Sequence, residues 1–374
     1  MTNFSETKSP SRILLLAAAL ILLLVLATTS LTPSARAVPK APLGFLGVVP
    51  AQGISNIDTA RMHRGKVKSL RLAISWGGVQ KRKRGKYHWT DIDNAMYVAA
   101  ERGVQIMPTL YGTPEWMSRR FTNLPVESRA QLDSWRKFVK AAVRRYGKGG
   151  DFWKAFPNVK QLPVREWQIW NEANFYYFAT PVSPAKYGRL LDASAKVIHK
   201  TDKKAEVVVS GLFARPKGSS RRAMDAVDYI RKLPKYSLNR SVDSIAIHPY
   251  AADTATLREI MKQFRRAAIQ AGYRKKSIQV TEMGWGSGPK TNSFLTGSEA
   301  AQARQLKSAF TYLVGDRKKL RLKNVYWFSW RDPNPALSAC SFCYSIGLFN
   351  YRKNGKLPAK PAWNQYVRFT RGKP

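Results

Sequence analysis

Cysteine, histidine and acidic side chains are scarce in this 374-residue chain, and no apolar run is long enough to span a bilayer. The only cysteines, Cys340 and Cys343, cannot build a disulfide scaffold. A lone C-x-x-C also lacks the second ligand pair of a structural zinc site. In an oxidising compartment a local bridge between them is expected; two free thiols are the alternative, and no thioredoxin-like pattern surrounds them. His63, His88 and His199 fall in no cluster with metal-ligand spacing, so neither a catalytic metal nor a cofactor is expected. Asp and Glu number 23 against 64 Lys and Arg, a formal charge of +41. Such a surplus attracts polyanions. There is no zinc-finger spacing and no RNP-type run, which argues against nucleic acid. An acidic cell-surface glycan or anionic lipid remains, beside the plain reading of a basic surface kept for solubility.

The longest apolar run, Ile13 to Leu26, has 14 residues, short of the ~20 a membrane-spanning helix needs. Lys8 and Arg12 precede it and Ala35-Arg36-Ala37 follows. A positive start, a short apolar middle and a small-x-small end describe a secretory signal peptide cleaved after Ala37. The alternative is an uncleaved anchor, the one case in which membrane contact is expected. Either way the protein is expected to be secreted or held at the cell surface. Residues 1–37 then stand apart from a single domain of residues 38–374. Removing the leader takes away Lys8, Arg12 and Arg36 against Glu6, so the charge barely changes.

From residue 38 onward, apolar runs of strand type alternate with longer segments of helical period. The strand candidates are Gly44–Val49, Ser69–Trp76, Val104–Tyr111, Trp167–Asn171, Val207–Leu212, Ser244–His248, Ser277–Thr281 and Val325–Trp330. Helices are expected over Asp91–Arg102, Gln131–Tyr146, Pro184–Lys200, Leu257–Ala271 and Ser298–Val314, with a last one around Trp363–Phe369. Their caps are legible: Thr90 before the first, Ser183-Pro184 opening the third, and Gly103, Gly272 and Gly315 as stops. One-sided stripes such as Leu132, Trp135, Phe138, Val139 and Ala142 suit helices on the outside of a sheet. Eight β-then-α units predict an α/β fold, a single TIM (β/α)8 barrel. An open doubly wound sheet would need a glycine-rich turn after its first strand, and Gly53 alone does not make one.

A TIM barrel carries its chemistry at the C-terminal ends of its strands. The fourth candidate strand runs into Trp170-Asn171-Glu172, the seventh into Thr281-Glu282-Met283-Gly284-Trp285. Each puts a carboxylate at a strand's mouth beside tryptophan. Cleaving an acetal needs two carboxyl groups, one to protonate the leaving oxygen and one to attack carbon or activate water. A single strand-end glutamate is most simply a solvated charge or an arginine's partner; two in these positions point to glycoside chemistry. The chain is also rich in flat polar-edged rings, with 16 Phe, 11 Trp and 16 Tyr, which can stack on sugars or simply fill a core.

On these residues the sequence resembles the clan A retaining glycoside hydrolases, the cellulase and xylosidase superfamily. Trp170-Asn171-Glu172 is similar to that clan's W-N-E acid/base motif. Thr281-Glu282-Met283-Gly284-Trp285 is similar to its nucleophile strand, and His248-Pro249-Tyr250 to its H-x-Y. Arg71 stands where the clan keeps an arginine near the nucleophile, and the segment from Tyr87 to Asp93 resembles its approach to the second helix. The resemblance implies roles. Glu172 would be the acid and then the base, and Glu282 the nucleophile. Asn171 would bond the sugar's 2-hydroxyl, Tyr250 and Arg71 would hold Glu282 ionised, His248 would line the floor of the site, and Trp330 would stack beneath the sugar. With retention, the two carboxyl groups should lie about 5–5.5 Å apart.

Further strand-end aromatics, Trp76, Tyr111, Trp116, Phe175, Tyr176, Tyr177 and Trp285, are candidate sugar subsites, with packing as the alternative for each. Asn174 is a candidate sugar ligand. The basic run from Lys81 to Lys86 could draw an anionic polysaccharide toward the cleft or be a solvated loop. The expected partner is thus a polysaccharide or oligosaccharide, anionic if the charge serves the substrate, met by a monomer. A non-catalytic glycan-binding barrel and a scaffold held by charge to membrane or wall are the competing readings. The sugar and linkage stay unnamed.

Overall fold

The computed structural model describes Met1 and residues 38–233, 241–288, 293–334, 341–351 and 356–374. The expected signal peptide lies outside the described residues, as does Cys340; Cys343 is disulfide-bonded. Among the described residues no helix is long and apolar enough to cross a membrane.

Nine strands form one sheet: β1 (Leu46–Val49), β2 (Ser69–Ser75), β3 (Gln105–Tyr111), β4 (Glu166–Ile169), β5 (Glu206–Val208), β6 (Leu212–Phe213), β7 (Ser244–His248), β8 (Ser277–Met283) and β9 (Leu322–Phe328). All pair in parallel, in the order β5-β4-β3-β2-β1-β9-β8-β7-β6, and β5 also pairs with β7, which closes the sheet into a barrel. This is the expected TIM barrel. The closure is thin: β5 has three residues, and its register with β7 rests on Val208 opposite Ser244.

The candidate strand Val207–Leu212 is split, because the chain leaves the ladder between β5 and β6. Gly211 in that gap lies so close to His248 that a Cβ there would fall 1.9 Å from its Nε2. Only glycine lets the backbone approach the histidine this closely. The eighth candidate strand ends earlier than expected, at Phe328, before a cis peptide bond to Ser329.

The helices follow their caps. Arg129–Tyr146, Pro184–Thr201, Thr254–Gln270 and Glu299–Gly315 start after Ser128, Ser183, Asp253 and Ser298, whose side chains accept backbone N–H bonds in the first turn. Thr90 is an exception: it lies inside its helix, Thr90–Glu101, and Trp89 takes the cap position without a side-chain bond. The last helix, Pro361–Thr370, lays Tyr366 and Phe369 on Phe310.

The barrel interior is unusually polar. Inward positions on alternate residues carry Ser69 and Arg71, Glu166 and Gln168, Gln279 and Thr281, joined by hydrogen bonds. An apolar layer of Val49, Met107, Val208, Ala246 and Tyr326 crosses this interior. A polar barrel interior costs desolvation unless its groups are paired, and the pairing here leads toward one end, the mouth formed by the C-terminal ends of the strands.

Candidate active site

Simple alternation along the strands would turn Trp170 into the mouth and leave Asn171 and Glu282 outside it. Two backbone irregularities reverse this. After Gln168, Trp170 adopts φ +67° and Glu172 φ +40°, a left-handed region that costs an ordinary side chain free energy and persists only where the surroundings impose it. The turn sends Trp170 outward onto Trp135, ring centroids 5.8 Å apart, and Asn171 and Glu172 inward. On β8, the pairing with β9 slips between Val280 and Met283. This bulge points Thr281 and Glu282 to the same side, as bulges beside active sites do.

The cluster that results joins six of the expected residues. Arg71 fans out three bonds: Nε to Gln168 Oε1 at 2.5 Å, one terminal nitrogen to Glu282 Oε1 at 2.6 Å, the other to Asn171 Oδ1 at 2.6 Å. The planar guanidinium fixes all three partners at once. Tyr250 donates its hydroxyl to Glu282 Oε2 at 2.9 Å. His248 Nδ1 lies 2.7 Å from Glu172 Oε1 and 3.6 Å from Glu282 Oε2, while its Nε2 meets Thr281 Oγ1 at 3.0 Å. Gln168 locks the base of the cluster, accepting from Thr109 and donating to the Val209 carbonyl and to Thr281.

The two carboxyl groups are buried yet shifted in opposite directions. Burial raises the pKa of Glu172 and the charge of Glu282 adds to it, against partial opposition from His248 and Arg71. Burial also pushes Glu282 upward, but His248, Arg71 and the Tyr250 hydroxyl outweigh it, and its pKa falls below the ordinary carboxylate value. One group thus tends to keep a proton where the other has lost it.

Oxygens of Glu172 and Glu282 and a ring nitrogen of His248 lie within 4.8 Å of one another, a spacing that could also hold a metal ion. Both oxygens of Glu282, however, already accept from Arg71 and Tyr250. A metal would have to displace or abut a guanidinium, so this donor set does not suit a cation.

Four expected sugar contacts are buried and already partnered. Trp330 is fully buried: its indole N–H bonds Asp58 at 2.9 Å and its ring packs on Phe349 and Trp363. With the strand ending at Phe328, Trp330 falls two residues beyond it. Trp76 is buried among Trp116, Trp135 and Phe138. Trp285 is 4% exposed, bonded to the Ala251 carbonyl and packed on Trp327. Asn174 is fully buried and spends its amide on backbone, donating to Phe213 and Met224 and accepting from Phe213 N–H. It pins two loops together rather than facing a ligand.

Tyr176 stays accessible. It stacks on Tyr177 at 4.3 Å, with the Arg222 guanidinium 3.9 Å over its ring. Phe121, Tyr177 and Phe294 are exposed. The run from Lys81 to Arg84 is exposed on the mouth side, after β2 and its short helix Trp76–Val79.

Four mouth residues escaped the sequence. Gln168 and Thr281 could have been found, since both share the inward parity of their strands. Phe213 stacks on Tyr250 at 5.7 Å; nothing in its local sequence marks it. Phe328, half-buried against the apolar layer, is the aromatic ring at the end of β9.

A closed parallel barrel places its chemistry at the C-terminal ends of its strands, where these paired glutamates stand. Among solved structures the chain is similar to a family 39 glycoside hydrolase from Bacteroides cellulosilyticus WH2, with TM-score 0.62 and 17% identity over 88% of this chain and 64% of that one. It is similar to a monomeric beta-xylosidase from Caulobacter crescentus CB15, with TM-score 0.62 and 19% identity over 89% and 69%. It also resembles the GH53 catalytic domain of Ignisphaera aggregans, with TM-score 0.61 and 17% identity over 90% and 98%. The chain therefore spans just under two thirds of the Bacteroides protein and nearly the whole of the Ignisphaera domain. Identities this low show a shared fold. No protein-family model and no curated protein matches the chain.

Proposed function

We propose that the protein is a retaining glycoside hydrolase that cleaves, or transfers, β-linked glycans by double displacement. The observation that carries this reading is the facing pair Glu172 and Glu282, oxygens within 4.8 Å, with opposite pKa shifts. Retaining enzymes hold their carboxyl groups about 5–5.5 Å apart, whereas inverting enzymes need roughly 6.5–9.5 Å to fit a water between them.

In the first step the Glu282 carboxylate attacks the anomeric carbon. The glycosidic bond breaks, and its oxygen leaves with the proton of Glu172. In the second step Glu172, now a carboxylate, takes a proton from water. The water oxygen bonds the anomeric carbon, and the ester to Glu282 breaks. Esterification of Glu282 removes the negative charge that helps keep Glu172 protonated, so the same group can serve first as acid and then as base. His248 stands within hydrogen-bond distance of Glu172 through Nδ1 and of Thr281 through Nε2, and so holds the Glu172 carboxyl in place. Asn171, its Oδ1 held by Arg71, has its amide N–H groups available for a sugar 2-hydroxyl. Phe328 takes the stacking role first assigned to Trp330.

The substrate is a polysaccharide or oligosaccharide met by a monomer. The exposed basic loop from Lys81 on the mouth side favours an anionic one. The leader-like first 37 residues support export. Incubating the protein with a panel of 2-deoxy-2-fluoro-β-glycosides tests the reading: a covalent mass increase should map to Glu282 and vanish in Glu282→Gln. A wild type and a Glu282→Gln protein with equal turnover on aryl-β-glycosides would sink it and leave a glycan-binding barrel.

A further inference from the structure

The end of the barrel opposite the mouth carries no part of the proposed chemistry, yet it is neither flat nor neutral. The loops leading into β1, β2 and β9 surround a basin of about 700 Å³ lined by Leu43, Lys68, Arg317, Lys318, Arg321 and Lys323 among others. Lys323 is neutralised by Glu166 and Glu206. Lys68, Arg317, Lys318 and Arg321 make no ion pair among the described residues; the hydrogen bonds of Lys68, Arg317 and Arg321 go to backbone carbonyls.

Like charges crowd this end. The amines of Lys68 and Lys160 both lie within 4 Å of where a Cβ on Gly103 would stand. Arg265, Arg274 and Arg321 are close enough that the latter two, after burial, depress the pKa of the first. The loops entering β4, β5 and β8 add exposed Lys148, Lys203, Lys204 and Lys275. Helix C-termini point to this end and favour some basic residues in their last turns. That effect does not reach like-charged clusters in the loops beyond.

In the midst of the basic basin stands an apolar tip. Leu43, in the turn before β1, is 77% exposed, the most exposed large apolar side chain among the described residues from 38 onward. Pro42, Leu43, Gly44 and Phe45, which lead into β1, all line this basin.

We propose that this floor is a docking surface for an anionic lipid bilayer, with Leu43 entering the headgroup boundary and the surrounding lysines and arginines meeting lipid phosphates. An apolar tip ringed by basic side chains suits an interface in which one layer is greasy and the next is anionic. A polysaccharide would instead be met by ring faces, and the exposed Tyr177 follows directly from the mouth's acid/base strand, at the other end. The arrangement turns the mouth away from the membrane, toward whatever glycan lies beyond it. The proposal does not depend on the glycosidase reading.

The test is sedimentation of the full chain with vesicles of phosphatidylcholine alone or with 30% phosphatidylglycerol, at low and high salt. The quantity read is the excess binding to the anionic vesicles, which removes any contribution of the leader's apolar run. The expected result is an excess that high salt abolishes. A Lys160→Glu/Lys318→Glu/Arg321→Glu protein should lose it more than tenfold, and Leu43→Ser should lose it severalfold. Lys81→Glu/Lys83→Glu, at the mouth, should keep it. Circular dichroism melts confirm that each variant is folded, and the salt response of the wild type is informative even where a variant is not. No anionic excess, an excess unchanged by the floor variants, or capture only by a soluble phosphodiester or carboxylate polymer would each overturn the proposal.

Discussion

Two carboxylate pairs lie at opposite ends of one barrel, and they are built differently. At the floor, Glu166 and Glu206 share a single lysine, Lys323, at 3.4 and 2.7 Å, and Gln279 donates to Glu166. At the mouth, Glu172 and Glu282 divide an arginine, a histidine and a tyrosine between them, and each glutamate has a different set. Burial raises the pKa of Glu166 as it does that of Glu172. A raised carboxyl therefore does not by itself mark a reactive site. The mouth is distinguished by a second carboxyl driven the other way.

The strongest way to break this comparison is Glu282→Gln. It should lower kcat by on the order of 10⁴ to 10⁶, as loss of a nucleophile does, measured on an aryl-β-glycoside. Glu172→Gln should lower kcat by about 10² to 10⁴ on alkyl glycosides, the usual worth of a general acid. It should slow the first step far less with a dinitrophenyl leaving group, which departs without a proton.

The pH profile sharpens the contrast. On the proposed mechanism Glu282 acts ionised, and its pKa is lowered, so activity should fall only as pH drops below the ordinary carboxylate range. On the same mechanism Glu172 acts protonated, and its pKa is raised, so activity should fall as pH rises through that higher value. In kcat/KM measured across pH, Glu172→Gln should remove the alkaline limb alone.

Next in size is a pair of aromatic variants. Trp330→Ala should cost about 3–5 kcal/mol of stability, the range for a large buried ring, read as a loss in denaturant midpoint, and leave KM of the folded enzyme unchanged. Phe328→Ala should do the reverse, raising KM roughly tenfold through loss of an aromatic face. The smallest effect belongs to the floor: Lys323→Met should shift stability by no more than about 1 kcal/mol, as partly exposed ion pairs are worth little, and should leave kcat untouched.

Most of the fold was legible because each barrel unit repeats the same signals: an apolar run, a capped helix and a glycine or polar stop. The six residues gathered at the mouth were marked in the sequence for a different reason, the motifs at Asn171-Glu172, His248 and Tyr250, Glu282, and Arg71. What the sequence hid was backbone geometry. Alternation from Gln168 predicts that Trp170 points inward and alternation from Thr281 predicts that Glu282 points outward. A left-handed turn and a bulge reverse both, and neither has a glycine to announce it. The same limit explains the misplaced aromatics. Trp76, Trp285 and Trp330 stand near strand ends in sequence, yet each turns its ring into the layer between barrel and helices. Asn174 looked like a sugar ligand because it is polar and close to Glu172; only the paths of two other loops show that its amide is already spent.

The weak closure between β5 and β7 has a dynamic consequence. Few ladder bonds hold Val208 opposite Ser244, so the staves part here with the least loss of pairing, and amides along this seam should trade hydrogen for deuterium before those of β2 and β3. The Val209 carbonyl on one lip of the seam accepts from Gln168, which in turn grips Arg71. A sugar that tightens the arginine's hold would thus also fasten the barrel's loosest joint, and occupancy of the mouth could be read from isotope uptake along that seam.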